Sequence, residues 1–381
     1  MDLLFLISTV GLVYPYLYGF LIKILPKRCK LYNLKTKNLT LSIIISAFNE
    51  ENSIINRIKN ILESNYPQDK LEIIIGSDGS TDKTVDVIKD FLKKNKITNI
   101  KVLDFKVNRG RAAVHNDCVK HATGEILVFT DAETVFDKNF LREIIKPYIQ
   151  RKDVGVTVGN LHYLISNKKG QTEISEGLFF KLEKAIRKAE SDACLLFTGT
   201  GACMSVKKDL WVDLAPTDDV DFATPLYAIL QGYKVIYVPE AKAYDRPPSN
   251  FKREFKLRIR QTAKNLLGTL RIWGWKNIFK HPLYTWAIFS HKILRWLSPF
   301  FLITLFVSNI FLLNESWFYK ITFALQVLFY LCGLIGFKIK KFPCSVISSF
   351  LVANTGIFLG VLKAIAGKAP SFYGREKESE R

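Results

Sequence analysis

The chain has 381 residues, 55 of them Lys or Arg against 35 Asp or Glu, for a formal net charge of +20, and 48% are hydrophobic. This composition excludes a disordered or collagen-like chain and supplies enough apolar side chains for a core and for contact with a membrane. Six cysteines (Cys29, Cys118, Cys194, Cys203, Cys332, Cys344) show no CxxC spacing and read as reduced core thiols, and His115 with Cys118 offers too few ligands for zinc.

Residues 3–22 carry no charge and are long enough to cross a bilayer as a helix. Asp2 precedes them, and Lys23, Lys27, Arg28, Lys30, Lys35 and Lys37 follow. The segment therefore reads as an uncleaved anchor, with the N-terminus outside and the next residues in the cytoplasm.

Residues 41–240 lack a long apolar run and alternate β-branched stretches with amphipathic ones. The pattern predicts strands at 41–46, 72–76, 101–104 and 125–130, separated by helices at 50–63, 82–94 and 110–121, hence an α/β domain with a mostly parallel sheet. Polar loops follow the strand ends: Phe48-Asn49-Glu50, Ser77 to Asp82, and Asp131-Ala132-Glu133. Asp131 and Glu133 can hold a hard cation through oxygen, although a turn with a helix cap needs the same residues. Ser80 or Thr81 can cap the second helix and leave Asp78 for a ligand. Arg109 and Arg111 open the next helix, where free amides and the dipole favour an anion or simply solvent. Gly199-Thr200-Gly201 permits a tight turn or close approach of a sugar. Asp218, Asp219 and Asp221 begin a helix that runs to Gln231, with Gly232 ending it and a strand at 234–238; the acids suit the dipole, and one of them can serve as a general base.

Residues 251–280 hold nine cations and one acid, Glu254. Phe255, Ile259, Leu266, Leu270 and Trp273 recur at three- and four-residue steps, which suits a helix lying on an anionic lipid surface; no nucleic-acid recognition module is visible. Apolar stretches at 296–313, 321–337 and 346–362 follow, the last either spanning or forming a re-entrant hairpin. The chain thus divides into a first span (1–25), a cytoplasmic domain (26–250), basic interfacial helices (251–295), a C-terminal region of two to three spans (296–366) and a polar tail (367–381).

The ordered motifs Ser46-Ala47-Phe48-Asn49-Glu50, Ser77 to Asp82, Asn108-Arg109-Gly110-Arg111, Asp131-Ala132-Glu133 and Asp218-Asp219-Val220-Asp221 resemble the inverting glycosyltransferases of family 2, over roughly residues 40–265. The flanking spans, with Ser290 to Trp296, resemble its membrane-bound members, the bacterial polysaccharide and glycolipid glycosyltransferases. The resemblance implies a GT-A fold, Rossmann-like, acting as a hexosyl- or N-acetylhexosaminyltransferase with a nucleotide-diphosphate sugar donor, UDP by family preference, and Mg2+ or Mn2+. It implies that Ser46, Phe48, Glu50, Asp78, Arg109, Arg111 and Asp131 bind the nucleotide sugar, that Asp131 and Glu133 hold the metal, and that Asp219 is the base. Gly199, Gly201, Asp218, Asp221, Arg258, Arg260, Gln261 and Lys264 are expected on the acceptor or diphosphate side. Two motifs depart from the family's Asp-x-Asp and Glu-Asp while keeping the charge. Gln261-Thr262-Ala263-Lys264-Asn265 replaces the Gln-x-x-Arg-Trp of processive synthases, which argues against cellulose-type processivity. The expected setting is the inner cell membrane, with a lipid-linked or glycan acceptor and membrane lipids as partners and no nucleic acid. The alternatives are a sugar nucleotidyltransferase, whose Gly-rich start loop is absent, and a non-catalytic scaffold that binds a nucleotide sugar.

Overall fold

The computed structural model describes residues 1–29, 37–164, 171–246, 251–339 and 341–368, without the side chains of 171–179 and 251. Lys30, Lys35 and the tail from 369 onward lie outside the described residues.

An apolar helix, α1 (Asp2–Ile24), precedes a parallel block of strands β1 (Leu41–Ala47), β2 (Leu71–Asp78), β3 (Ile100–Phe105) and β4 (Ile126–Asp131). Helices α2 (Ile54–Leu62), α3 (Thr84–Asn95) and α4 (Arg111–Lys120) connect them. The central strands are buried on both faces because helices cover both, which explains their continuous Ile and Leu runs. Ile44, Ile74, Leu127 and Phe129 pack on one face, and Ile43, Ile45, Ile73, Ile75 and Val128 on the other.

The second half adds β5 (Val135–Phe136), α5 (Phe140–Gln150), β6 (Val154–Tyr163), α6 (Gln171–Asp192), β7 (Met204–Lys207), α7 (Val220–Leu230) and β8 (Lys234–Asp245). Among the described residues the sheet order is β3-β2-β1-β4-β7-β6-β8-β5. β7 runs antiparallel to both neighbours and β5 antiparallel to β8, so the sheet is mixed and mostly parallel. β8 continues beyond the expected end at Val238, because its second part pairs with the end of β6 past a register shift.

The C-terminal part holds α8 (Phe251–Lys280), α9 (Pro282–Ile288), α10 (Leu294–Leu312), α11 (Trp317–Gly336) and α12 (Cys344–Ile365). Four helical stretches are long and apolar enough to cross a membrane among the described residues: Asp2–Ile24, Pro282–Leu312, Trp317–Gly336 and Cys344–Ile365. The second starts at Pro282 rather than Trp296, continuing through a π-turn at Phe289–Ile293. Its polar residues are matched from within the protein. His291 Nδ1 meets Glu190 of α6 at 2.7 Å and its Nε2 meets Glu183 at 3.0 Å, Arg295 donates to Glu183 at 2.7 Å, and Tyr18 of α1 donates to Glu190 at 3.0 Å.

Two expectations are corrected. The basic helix α8 is not laid out wholly against lipid: α12 packs along it, with Gly356 and Gly360 as the close points, where a Cβ would stand 2.9 Å from Arg258 Cβ and 2.7 Å from Thr262 Cβ. Gly274 (φ 56°) breaks α8, and Trp273 is buried while Leu270, Trp275 and Phe279 stay exposed. The cysteines are not all reduced: Cys29 and Cys194 are disulfide-bonded, with Cα atoms 5.3 Å apart. A separation of 165 residues hid the pair, which folding brings together as Cys29 N donates to Asp192 O.

Candidate active site

The parallel register sets Ser46 beside Asp131, Ala47 beside Ser77, and Asp78 beside Phe105. The polar loops therefore share one edge, the carboxyl ends of the strands, where open α/β sheets bind ligands.

The first two loops clasp each other. Asn49, at φ 53°, accepts from Thr81 N at 2.8 Å and donates its own N–H to Ser80 Oγ at 3.2 Å, while Glu50 N donates to Thr84 Oγ1 at 2.8 Å. The Glu50 carboxylate accepts from Ser53 Oγ at 2.5 Å. Asp82, not Ser80 or Thr81, accepts from Thr84 N at 2.9 Å at the start of α3. Phe48 stands half-buried beside this clasp. Asp78 is 3% exposed and accepts from Arg109 N at 2.8 Å and Gly110 N at 3.0 Å. Burial pushes its carboxyl up, against the pull of those amides. Gly79 is required here, since its φ is +70° and a Cβ would lie 2.6 Å from Asn108 N.

The two arginines diverge. Arg109 bonds Asp117 at 2.6 Å and lies over the Phe105 ring at 4.2 Å, along the outside of α4. Arg111 turns inward and donates to Asp131. Gly201 borders both Arg111 Nη1 (3.7 Å) and Asp221 Cβ (3.9 Å), measured from where its Cβ would be. Gly199 N donates to Asp221 O at 2.6 Å, and a Cβ at Gly199 would stand 2.4 Å from Met204 Sδ, so this glycine is fixed by packing.

Arg111 thus bonds Asp131 at the end of β4 and lies close to the 199–201 loop and to Asp221 at the start of α7. Asp219 caps that start in extended conformation, and Lys264 of α8 donates to its Oδ1 at 3.2 Å. Burial and the charge on Asp219 push the Asp221 carboxyl up, and Arg111 pulls it back. Asp218 faces elsewhere: it is 3% exposed, accepts twice from Arg271 (2.6 and 2.5 Å) and once from Ala215 N (2.8 Å), and so ties α7 to α8. Arg258 pairs with Glu254 at 3.6 Å on the α12 side, and Arg260 and Gln261 sit half-buried one turn before Lys264.

Sequence reasoning missed two residues behind Asp131. Asp245, at the end of β8, accepts from Thr134 Oγ1 at 3.5 Å; burial and then Asp131 and Glu133 push it up to about 6. Arg57 is 2% exposed, donates to Thr130 Oγ1 at 2.9 Å and lies 3.9 Å from the Phe136 ring centre. Burial lowers it to about 9, opposed by Asp131 and Asp245.

Asp131 and the exposed Glu133 offer hard oxygen donors, and among the described residues no group of three or more His, Cys, Asp or Glu is placed to hold an ion. This donor set fits Mg2+ or Mn2+, which takes one or two carboxylates and completes its shell with phosphate and water.

Residues 42–210 match the profile of Glycosyl transferase family 2. The chain is 29% identical over 227 residues to a poly-beta-1,6-N-acetyl-D-glucosamine synthase of Staphylococcus epidermidis, covering 58% of this chain and 53% of the relative. It is 32% identical over 148 residues to a dolichyl N-acetyl-alpha-D-glucosaminyl phosphate 3-beta-D-2,3-diacetamido-2,3-dideoxy-beta-D-glucuronosyltransferase of Methanococcus voltae, covering 38% of this chain and 43% of that one. The chain thus spans about half the length of the curated relatives it matches. In fold it is similar to a mannosyltransferase of Pyrobaculum calidifontis solved with GDP-Man and Mn2+, with a TM-score of 0.73 at 20% identity over 96% of this chain and 99% of that one. The mixed sheet with its acids at one edge is a GT-A-like fold, and within it residues 42–210 match a family 2 glycosyltransferase domain.

Proposed function

We propose that the protein transfers a sugar, with inversion, from a nucleotide-diphosphate sugar to an acceptor held at the cytoplasmic face of a membrane. The observation that carries this reading is the Arg111–Asp131 ion pair beside the Gly201 and Asp221 segment, with the Asp219–Lys264 pair alongside. It groups anion-binding charge with a candidate base at the strand ends.

Glu50 and Asp78 border the nucleoside side, where Asp78 also holds the amides of Arg109 and Gly110. Mg2+ or Mn2+ on Asp131 and Glu133 would act as a Lewis acid on the departing diphosphate. Arg111 orients Asp131 and adds fixed positive charge beside the leaving group. Lys264 occupies Oδ1 of Asp219 and leaves Oδ2 to take the proton of the acceptor hydroxyl. The acceptor oxygen then bonds to the anomeric carbon as the bond to the diphosphate breaks, and no covalent intermediate with the protein is needed. The similarity to a poly-beta-1,6-N-acetyl-D-glucosamine synthase favours an N-acetylhexosamine donor, carried on UDP by family preference. The dolichyl-phosphate relative, together with four apolar helices, supports a lipid-linked acceptor and a multi-pass protein.

The test is nucleotide release by the detergent-purified protein across UDP-, GDP- and dTDP-sugars, with membrane lipid extract, with and without Mn2+ or Mg2+. Metal-dependent release from a UDP-N-acetylhexosamine is expected. Binding without turnover of any donor in the presence of extract and metal would contradict the reading in favour of a scaffold.

A further inference from the structure

Arg151 precedes β6 and Lys234 opens β8, so both lie at the sheet end opposite the acids of the candidate active site. There, with Arg28 just past α1 and with His281, Leu283 and Tyr284 at the start of the second apolar stretch, they line a cavity of about 380 Å3. Arg151 is committed to Asp153 through two bonds, at 2.9 and 2.7 Å. The Lys234 ammonium lies 5.4 Å from the Tyr284 ring centre. Tyr284 is 93% buried by its 7% exposure, and its hydroxyl, like His281 Nε2, is buried with no hydrogen-bond partner among the described residues. A buried hydroxyl without a partner costs free energy, so a group that accepts its hydrogen bond is favoured there, and cationic walls select an anion.

The same level of the molecule is where two candidate spans end. α1 and the 282–312 stretch run antiparallel: Trp286 Nε1 donates to Tyr14 Oη at 2.9 Å, and Gly11 abuts Phe301. Ile24 (80%), Trp275 (83%) and Phe279 (84%) are exposed close in sequence to the lining residues. Apolar and aromatic side chains beside cations are the signature of the headgroup zone.

We propose that this cavity binds a phosphate group, supplied by the headgroup of an anionic membrane lipid. The Tyr284 hydroxyl would donate to a phosphate oxygen, and Lys234 and Arg28 would neutralise its charge. The site is separate from the transferase centre, and its test does not depend on the donor or acceptor of that reaction.

The full chain in dodecylmaltoside is unfolded thermally with added phosphatidylglycerol, phosphatidylcholine or inorganic phosphate, as wild type, as Arg28→Gln with Lys234→Gln, and as Tyr284→Phe. Phosphatidylglycerol is expected to raise the wild-type midpoint by several degrees and phosphatidylcholine to do little. The double variant should lose the shift, and Tyr284→Phe should need about tenfold more lipid for half the effect. An equal shift from inorganic phosphate, lost in the double variant, would keep the site and assign it to a free anion rather than lipid. A phosphatidylglycerol shift undiminished in the variants, or no shift with either ligand, would overturn the proposal. Should the double variant fail to fold, the lipid titration of Tyr284→Phe, which removes one oxygen, decides alone.

Discussion

Lys264 holds one oxygen of Asp219 at 3.2 Å, so the two side chains should fail in different ways. Removing the proposed base with Lys264 intact should cost about 10²–10⁴-fold in kcat, whereas Lys264→Met should lower kcat less, because the carboxylate survives. Steady-state kinetics separate the two. Away from the site, Glu72 gives a stability signature. Burial works against its charge, but bonds from Ser42 (2.5 Å), Thr123 (2.5 and 2.8 Å) and Lys101 (3.2 Å) hold its carboxyl at about 2, below the ordinary 4.5. A depressed folded value means that its stabilisation is complete above pH 4.5 and is lost as pH falls towards 2. Glu72→Gln should therefore destabilise by about 1–2 kcal/mol at neutral pH, since solvent screens part of the effect, and flatten the acid limb of the stability curve, as denaturant titrations from pH 2 to 7 would show. Glu50, Asp78, Asp131 and Glu133 were legible as candidates because each follows an apolar strand run, and Asp219 because it opens a helix after a polar loop. Arg57 was hidden by its type: it sits at i+3 from Ile54 on the buried face that continues through Ile58 and Ile61, where a cation ordinarily ends a stripe. Asp245 was hidden because nothing in the sequence pairs the end of β8 with the end of β6 and with Thr134.

At the scale of elements, α6 is the strut between the sheet and the apolar helices. Glu183 and Glu190 grip His291, and Arg187 on the same helix donates to Thr200 Oγ1 at 2.8 Å in the loop beside Arg111. The Phe197 ring stands edge-on to both His291 and Phe222, the latter next to Asp221. His291→Leu leaves two buried carboxylates without that partner and should destabilise by about 3–5 kcal/mol, seen as a lowered midpoint of thermal unfolding in detergent. Strands β1 to β4 were readable because β-branched runs alternate with amphipathic helices. β5 and β7 were not: two and four residues are too few to establish a period, and their pairing comes from distant segments. The contact of α8 with α12 was equally invisible, since composition predicts a face but not what covers it; Gly356 and Gly360 make the approach possible.

For the whole molecule, the positive charges after α1 and the apolar stretches at both ends support the proposal of a domain held at the cytoplasmic membrane face. Asp2 and the loop containing Glu315 should share the opposite side, in keeping with the bond from Tyr319 Oη to Asp2 Oδ1 at 2.6 Å. An impermeant maleimide should label Asp2→Cys and Glu315→Cys in intact cells above the native thiol background, and Lys138→Cys only after permeabilisation. Labelling of Lys138→Cys in intact cells would reverse the topology. A donor held through Asp131 and Glu133 is proposed to react by way of Asp219, and the most direct measurement compares donor binding with nucleotide release in three proteins. Wild type should bind and release. Asp219→Asn should bind with near-normal affinity and release nucleotide about 10²–10⁴-fold more slowly, and Asp131→Asn with Glu133→Gln should lose metal-dependent binding. Undiminished release by Asp219→Asn would contradict Asp219 as the base, and undiminished metal-dependent binding by the double variant would contradict a metal held by Asp131 and Glu133.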